Sequence, residues 1–135
     1  MIYFIKLILL SFNSVFKKKK KVYFLSPVRS TTPEITKIME EYVKDLENQG
    51  YEVYWPMRDT VQTDTNGFNI CMQNFKGMKD ATEIHTYFQE SQGILFDFGI
   101  IFTLNKPLKI INTVSKTATK SFTNVVITYA ERNPV

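Results

Sequence analysis

Between Lys21 and Asn112, short and almost wholly apolar runs alternate with longer stretches whose apolar residues recur every three or four positions. The first run, Lys21-Val22-Tyr23-Phe24-Leu25, ends in Ser26-Pro27 and reads as a strand buried on both faces of a parallel sheet. Thr32 can then cap a helix with Pro33 at its first position and Glu34 in its first turn. Ile35, Ile38, Met39, Tyr42, Val43 and Leu46 follow helical spacing on one face, and Gly50 ends the helix. Tyr51 to Trp55 reads as a second strand stopped by Pro56, and Met57 to Asn66 as a polar loop. A helix over about Phe68 to Ala81 places Cys71, Phe75 and Met78 on one side. Glu83 to Phe88 reads as a strand and Gln89 to Gly93 as a turn. Ile94 to Leu104 is an apolar helix closed by Asn105-Lys106 ahead of Pro107, and Leu108 to Asn112 is a fourth strand. Phe122 to Tyr129 fits either a last strand or a helix, and no internal repeat is present.

Strands alternating with helices at these short intervals predict an α/β fold. The expected architecture is a flavodoxin-like or Rossmann-like three-layer sandwich around a four- to five-stranded, mainly parallel sheet. In such sheets ligands bind beyond the carboxyl ends of the strands, near the switch in strand order. That edge collects Ser26, Arg29, Arg58, Asp59, Gln62, Asp64, Glu90, Ser91 and Asp97. Neither GxGxxG nor GxxxxGK[ST] occurs, which argues against ATP-driven chemistry and dinucleotide redox.

Charge changes this picture little. The formal net charge is +4, but five of the 17 Lys and Arg form the run Lys17 to Lys21. Without that run the chain is close to neutral, so composition makes no case for nucleic acid as partner. A single Cys71 and a single His85 exclude a disulfide framework and a His/Cys metal cluster. Cys71 reads as a small buried apolar residue on its helix, and His85 as a packed or hydrogen-bonded strand residue. The apolar stretch Met1 to Phe16 is too short and interrupted for a bilayer span, and it lacks the charge order of a secretory signal. Three readings of residues 1–20 remain: a weak membrane-surface anchor with a polybasic flank, a disordered extension, or a stretch upstream of the true start. The abrupt change at Lys21 favours the last two, with a folded domain over residues 21–135 in a cytoplasmic protein.

Asp97 is the odd residue, a carboxylate one turn inside an apolar helix and flanked by Phe96 and Phe98. It needs a partner or a cavity, since burial of an unpaired carboxylate costs several kcal/mol. The nearby helix N-terminus favours its ionised form. Beside a sugar-sized cavity such a group can trap an oxocarbenium-like carbon in glycosyl transfer; the plain alternative is a cap-like hydrogen bond back to the turn.

The stretch from Lys21 to Asn112 resembles the nucleoside 2-deoxyribosyltransferase superfamily, which includes nucleoside 5′-monophosphate N-glycosidases. The residues that carry the resemblance are Val22-Tyr23-Phe24-Leu25-Ser26-Pro27, Trp55-Pro56-Met57-Arg58-Asp59-Thr60, and Ser91-Gln92-Gly93 through Asp97-Phe98-Gly99, followed by Lys106-Pro107. The resemblance implies cleavage or transfer of the N-glycosidic bond of a (deoxy)nucleoside or its 5′-monophosphate, with no cofactor and no metal. It places Asp97 where family enzymes carry a catalytic Glu, and Asn74 where they carry a second acidic residue that assists the base. Asp59 or Asp64 is then expected to assist the departing base. Ser91 stands where the monophosphate hydrolases bind phosphate with a Ser, so Ser26, Arg29 and Ser91 are expected at the phosphate or 5′ end, with Gly93 in the wider binding set. Arg58, Gln62 and Asn74 complete the expected binding set, and Tyr23 or Trp55 either stacks on the base or belongs to the core. The resemblance also implies a homo-oligomer. The departures at Asp97 and Asn74 leave a second expectation open: a catalytically impaired nucleotide-binding module of the same fold.

Overall fold

The computed structural model describes residues 18–135, so the expected extension lies, for residues 1–17, outside the described residues. Among these residues five helices and four strands follow in the order β1 (Lys21–Leu25), α1 (Pro33–Asn48), β2 (Glu52–Tyr54), α2 (Pro56–Asp59), α3 (Phe68–Asp80), β3 (Glu83–Thr86), α4 (Gln92–Leu104), β4 (Leu108–Ile110) and α5 (Phe122–Arg132). The four strands form one all-parallel sheet in the order β2-β1-β3-β4, with Tyr23 paired to both Tyr54 and Ile84. The sheet is covered on both faces, which makes the α/β three-layer arrangement expected from the alternation of runs. After β1 the chain moves outward to β2, then returns past β1 to β3. The switch point therefore lies beyond the carboxyl ends of β1 and β3.

Alternate residues of β1 serve the two layers. Val22 and Phe24 pack with Met39, Val43 and Leu46 of α1 and with Val53 and Trp55. Tyr23 and Leu25 pack with Met78 of α3, Ile94, Phe98 and Ile101 of α4, and Val126 and Tyr129 of α5. Each fully buried aliphatic side chain here stabilises by roughly 1.5–3 kcal/mol. Two-sided burial is why β1 reads as a continuous apolar run rather than an alternating one.

Boundaries depart from the sequence pattern in informative places. Thr32 caps α1 as expected, its hydroxyl accepting from the Ile35 amide. The expected polar loop after β2 instead opens with helix α2, because Pro56 supplies a helical φ at the first position and the Asp59 carboxylate accepts from the Trp55 N–H. α4 begins at Gln92, since the Ser91 hydroxyl caps it by accepting from the Ile94 amide, so Gln92 and Gly93 belong to the first helical turn. The ambiguous segment from Phe122 is helical. Ser121 caps it, Val126 and Tyr129 share its buried face, and the Tyr129 hydroxyl lies 2.7 Å from the Lys106 carbonyl. Those anchors override the β-branched run Val125-Val126-Ile127. Beyond β3, the Asn112 side chain accepts from the Phe88 N–H and donates to the Phe88 carbonyl. Among the described residues no helix is long and apolar enough to cross a membrane.

Candidate functional site

A cavity of about 480 Å³ opens at the switch point. Its walls are the turn after β1 (residues 26–30), Pro56, Gln62, the first half of α3 and the first turns of α4. Seven of the expected site residues meet there: Ser26, Arg29, Gln62, Asn74, Ser91, Gly93 and Asp97. A groove of about 630 Å³ between α4 and α5 is larger, but no acid, histidine or cysteine lines it. The first is therefore the candidate site.

Asp97 owes its position to the helix period. Ile94, Phe98 and Ile101 form the buried stripe of α4, and Asp97 falls within that stripe at the spot where it reaches the cavity. It is 8% exposed. Its Oδ2 accepts from the Tyr23 hydroxyl at 3.2 Å and faces the Asn74 Nδ2 at 3.5 Å, while Oδ1 accepts no hydrogen bond from the described residues. Burial pushes its pKa up to about 6, against the lowering pull of the Tyr23 and Asn74 hydrogen bonds. The expected help from the helix N-terminus does not prevail, since Asp97 lies beyond the first turn, where that effect fades. The Tyr23 phenol is itself held well above its ordinary range, first by burial and then by the Asp97 charge, so it stays a donor.

Two further side chains are held with a hydrogen to spare. Ser26 Oγ accepts from the Trp55 indole N–H at 2.8 Å, which leaves its own O–H to donate. Ser91 Oγ accepts from the Ile94 amide and likewise keeps its hydrogen. A Cβ on Gly93 would meet nothing within 4 Å, so packing does not require that glycine; its bareness keeps the helix start open to the cavity. Gln62 Nε2 is turned back onto the carbonyls of Pro56 and Thr60. Tyr23 and Trp55 are buried core residues and do not line the cavity.

Arg58, Asp59 and Asp64 lie outside this group. Arg58 binds Glu47, Asp59 and the Val53 carbonyl, on the side of the C-terminal end of α1. Asp59 is taken up by Arg58 and the Trp55 N–H. Asp64 caps α3, accepting from the Asn69 amide at 2.6 Å, since the residue at the helix boundary, Gly67, has no side chain to do so. Asp64→Ala is accordingly expected to lower stability by about 1 kcal/mol in denaturant unfolding.

One lining residue and one residue behind the wall escaped sequence reasoning. Cys71, expected to be buried, is only partly so and lines the cavity, a turn of helix from Asn74. Thr60 is buried and donates to Asn74 Oδ1 at 2.8 Å. His85 lies on the opposite face of the sheet, its Nδ1 accepting from the Tyr42 hydroxyl and its Nε2 facing Glu83. Burial lowers its pKa, with Glu83 opposing, so it serves as a packed, hydrogen-bonded core residue.

No protein-family model and no curated protein sequence matches the chain. Among solved structures, it is similar to the 2-deoxyribosyltransferase from the psychrotolerant bacterium Bacillus psychrosaccharolyticus, with a TM-score of 0.55 at 14% identity, covering 85% of this chain and 96% of that one. At that identity the likeness is one of fold: a four-stranded all-parallel sheet flanked by helices, of the kind a 2-deoxyribosyltransferase has.

Proposed function

We propose that the chain is a nucleoside 2-deoxyribosyltransferase-like enzyme that cleaves or transfers the N-glycosidic bond of a (deoxy)nucleoside or its 5′-monophosphate. The observation that carries this reading is Asp97: one oxygen is pinned by Tyr23 and Asn74, and the other has no protein partner at the cavity among the described residues. A carboxylate so held is preorganised to attack one carbon. With a pKa of about 6 it is mostly ionised at pH 7, yet desolvated enough to be nucleophilic. Fold similarity to a 2-deoxyribosyltransferase, itself described as a biocatalyst for nucleoside synthesis, supports the substrate class.

In this mechanism Oδ1 attacks C1′ as the C1′–N bond breaks, and the electron pair of that bond leaves on the base nitrogen. The base takes its proton from solvent, because Asp97 is the one carboxylate lining the cavity among the described residues. Water or an acceptor base then attacks C1′ and regenerates the carboxylate, giving hydrolysis or transfer. Ser26, Arg29, Ser91 and the open first turn of α4 form a donor set suited to a 5′-phosphate. The homo-oligomer belongs to the same reading, supported by Phe96, Phe102, Phe122 and Val125, large apolar side chains exposed on α4 and α5.

The same lack of a second carboxylate supports the rival reading, a module that binds the nucleotide without cleaving it. Incubation with 2′-deoxynucleosides and their 5′-monophosphates, with and without an acceptor base, separates the two. The enzyme reading expects released or exchanged base, and Arg29→Ala should weaken use of the monophosphates by on the order of tenfold with nucleosides little affected. Thermal stabilisation by a nucleotide with no base released would favour the module.

A further inference from the structure

Asp97 stands at the end of a chain of polar side chains that starts at the sheet edge. The hydroxyls of Tyr54 and Thr60 are 2.7 Å apart, Thr60 Oγ1 is 2.8 Å from Asn74 Oδ1, and Asn74 Nδ2 is 3.5 Å from Asp97 Oδ2. Donor and acceptor chemistry sets the direction. Asn74 Oδ1 can only accept, so it takes the single hydrogen of Thr60, and Thr60 in turn accepts from Tyr54. Every donor then points towards Asp97. Turning the Asn74 amide over would set its carbonyl against the carboxylate, two acceptors with no hydrogen between them, a pairing satisfied only if Asp97 is protonated.

We propose that Thr60, backed by Tyr54, is a positioning residue: with the Asn74 NH₂ group drawn towards Asp97 by the carboxylate, the Thr60 hydroxyl satisfies the amide carbonyl, locks that arrangement and so keeps Asp97 a hydrogen-bond-accepting carboxylate. The inference rests on Asp97 as the reactive group of the reading above, but its effect can be measured without turnover. It also gives Asn74 a purpose. An acidic residue at this position would put a second carboxyl against Asp97, whereas the amide supplies a donor and adds no charge.

The other groups around Asp97 are Tyr23 from β1, Cys71 from α3 and, across the cavity, Arg29 from the turn after β1; α4 contributes no second titratable group before Asn105. A change at Thr60 leaves all of these in place. The test is a carboxyl-carbon NMR titration of Asp97 in the full chain, assigned with Asp97→Asn, for wild type, Thr60→Val and Thr60→Ser. The midpoint should rise by about 0.5–1 pH unit in Thr60→Val, the size of one lost hydrogen bond, and stay at the wild-type value in Thr60→Ser. The acid limb of kcat/KM should move with it. A Thr60→Val midpoint equal to wild type, or a Thr60→Ser midpoint that moves as far as Thr60→Val, overturns the proposal. Should Thr60→Val not fold, Tyr54→Phe takes its place: an upward shift supports the proposal, and none overturns it. The expected titration shifts in a protein that turns over no nucleoside would defeat the enzyme reading alone. Turnover without the shifts would defeat the positioning role alone.

Discussion

Asp97→Asn should lower turnover by on the order of 10³-fold or more and, at pH 7, make the protein more stable by up to about 3 kcal/mol. On the proposed reading the loss follows from removal of the nucleophile, since an amide oxygen does not form the glycosyl ester. The gain follows from burial. The Asp97 pKa rises to about 6 in the folded chain against an ordinary value near 3.8, and each unit is worth about 1.4 kcal/mol. An acid with a raised folded-state pKa holds its proton more tightly when folded. The folded state therefore loses stability as pH rises from about 4 to about 6, and the cost is constant above that. The amide that replaces the carboxylate would keep an oxygen for Tyr23 and turn its NH₂ towards the cavity, so the neutral variant escapes the cost. Denaturant unfolding of both proteins at pH 7 and pH 4 checks this. The stability difference should be present at pH 7 and mostly gone at pH 4; an equal difference at both would refute the account of Asp97 as a desolvated carboxylate.

Gly77→Ala is expected to destabilise by about 1–3 kcal/mol, although Ala is the better helix former by about 1 kcal/mol. A Cβ at Gly77 would lie 2.9 and 3.1 Å from two ring carbons of Tyr54 and 3.0 Å from one of Tyr23. Neither ring can yield cheaply. Tyr23 is fully buried and stacks on Tyr54 at 5.8 Å, and both hydroxyls are committed, one to Asp97 and one to Thr60. Overpacking therefore outweighs propensity here. The same displacement would disturb the Tyr23–Asp97 hydrogen bond, so activity should fall along with stability. Gly99→Ala is the control, because its Cβ would meet nothing within 4 Å. That change should stabilise by about 0.5–1 kcal/mol. Thermal unfolding of the two variants tests the pair, and a neutral or stabilising Gly77→Ala would show that the helix can retreat from the sheet.

The contrast between Asp97 and the loop carboxylates shows how far sequence reasoning reaches into such a site. Asp97 was legible because a charge within the apolar stripe of α4 conflicts with its surroundings, and that conflict is visible in the residue pattern alone. Asp59 and Asp64 do not line the cavity, and the residue pattern could not show it, because a carboxylate in a polar stretch reads the same whether it caps a helix or faces a ligand. Only the backbone path decided that one binds Arg58 and the Trp55 amide and the other caps α3. The central strand β1 was legible because both its faces are buried, while the edge strands β2 and β4, each with an exposed residue, were marked by their flanking Pro and Gly. The helix at Phe122–Arg132 was not settled, since its β-branched run is offset by contacts from Tyr129 to the segment around residue 106, remote in sequence. Tyr23 concealed its part for a related reason. In an apolar run a tyrosine counts as core, and nothing local reveals that its hydroxyl meets a carboxylate 74 residues away.

The measurement that bears most directly on the central claim is base release from 2′-deoxynucleosides and their 5′-monophosphates, followed chromatographically at pH 7 for wild type and Asp97→Asn side by side. The account predicts free or exchanged base with wild type and a loss on the order of 10³-fold in a folded Asp97→Asn variant. Base released at equal rates by both proteins, or by neither from any substrate, would contradict it.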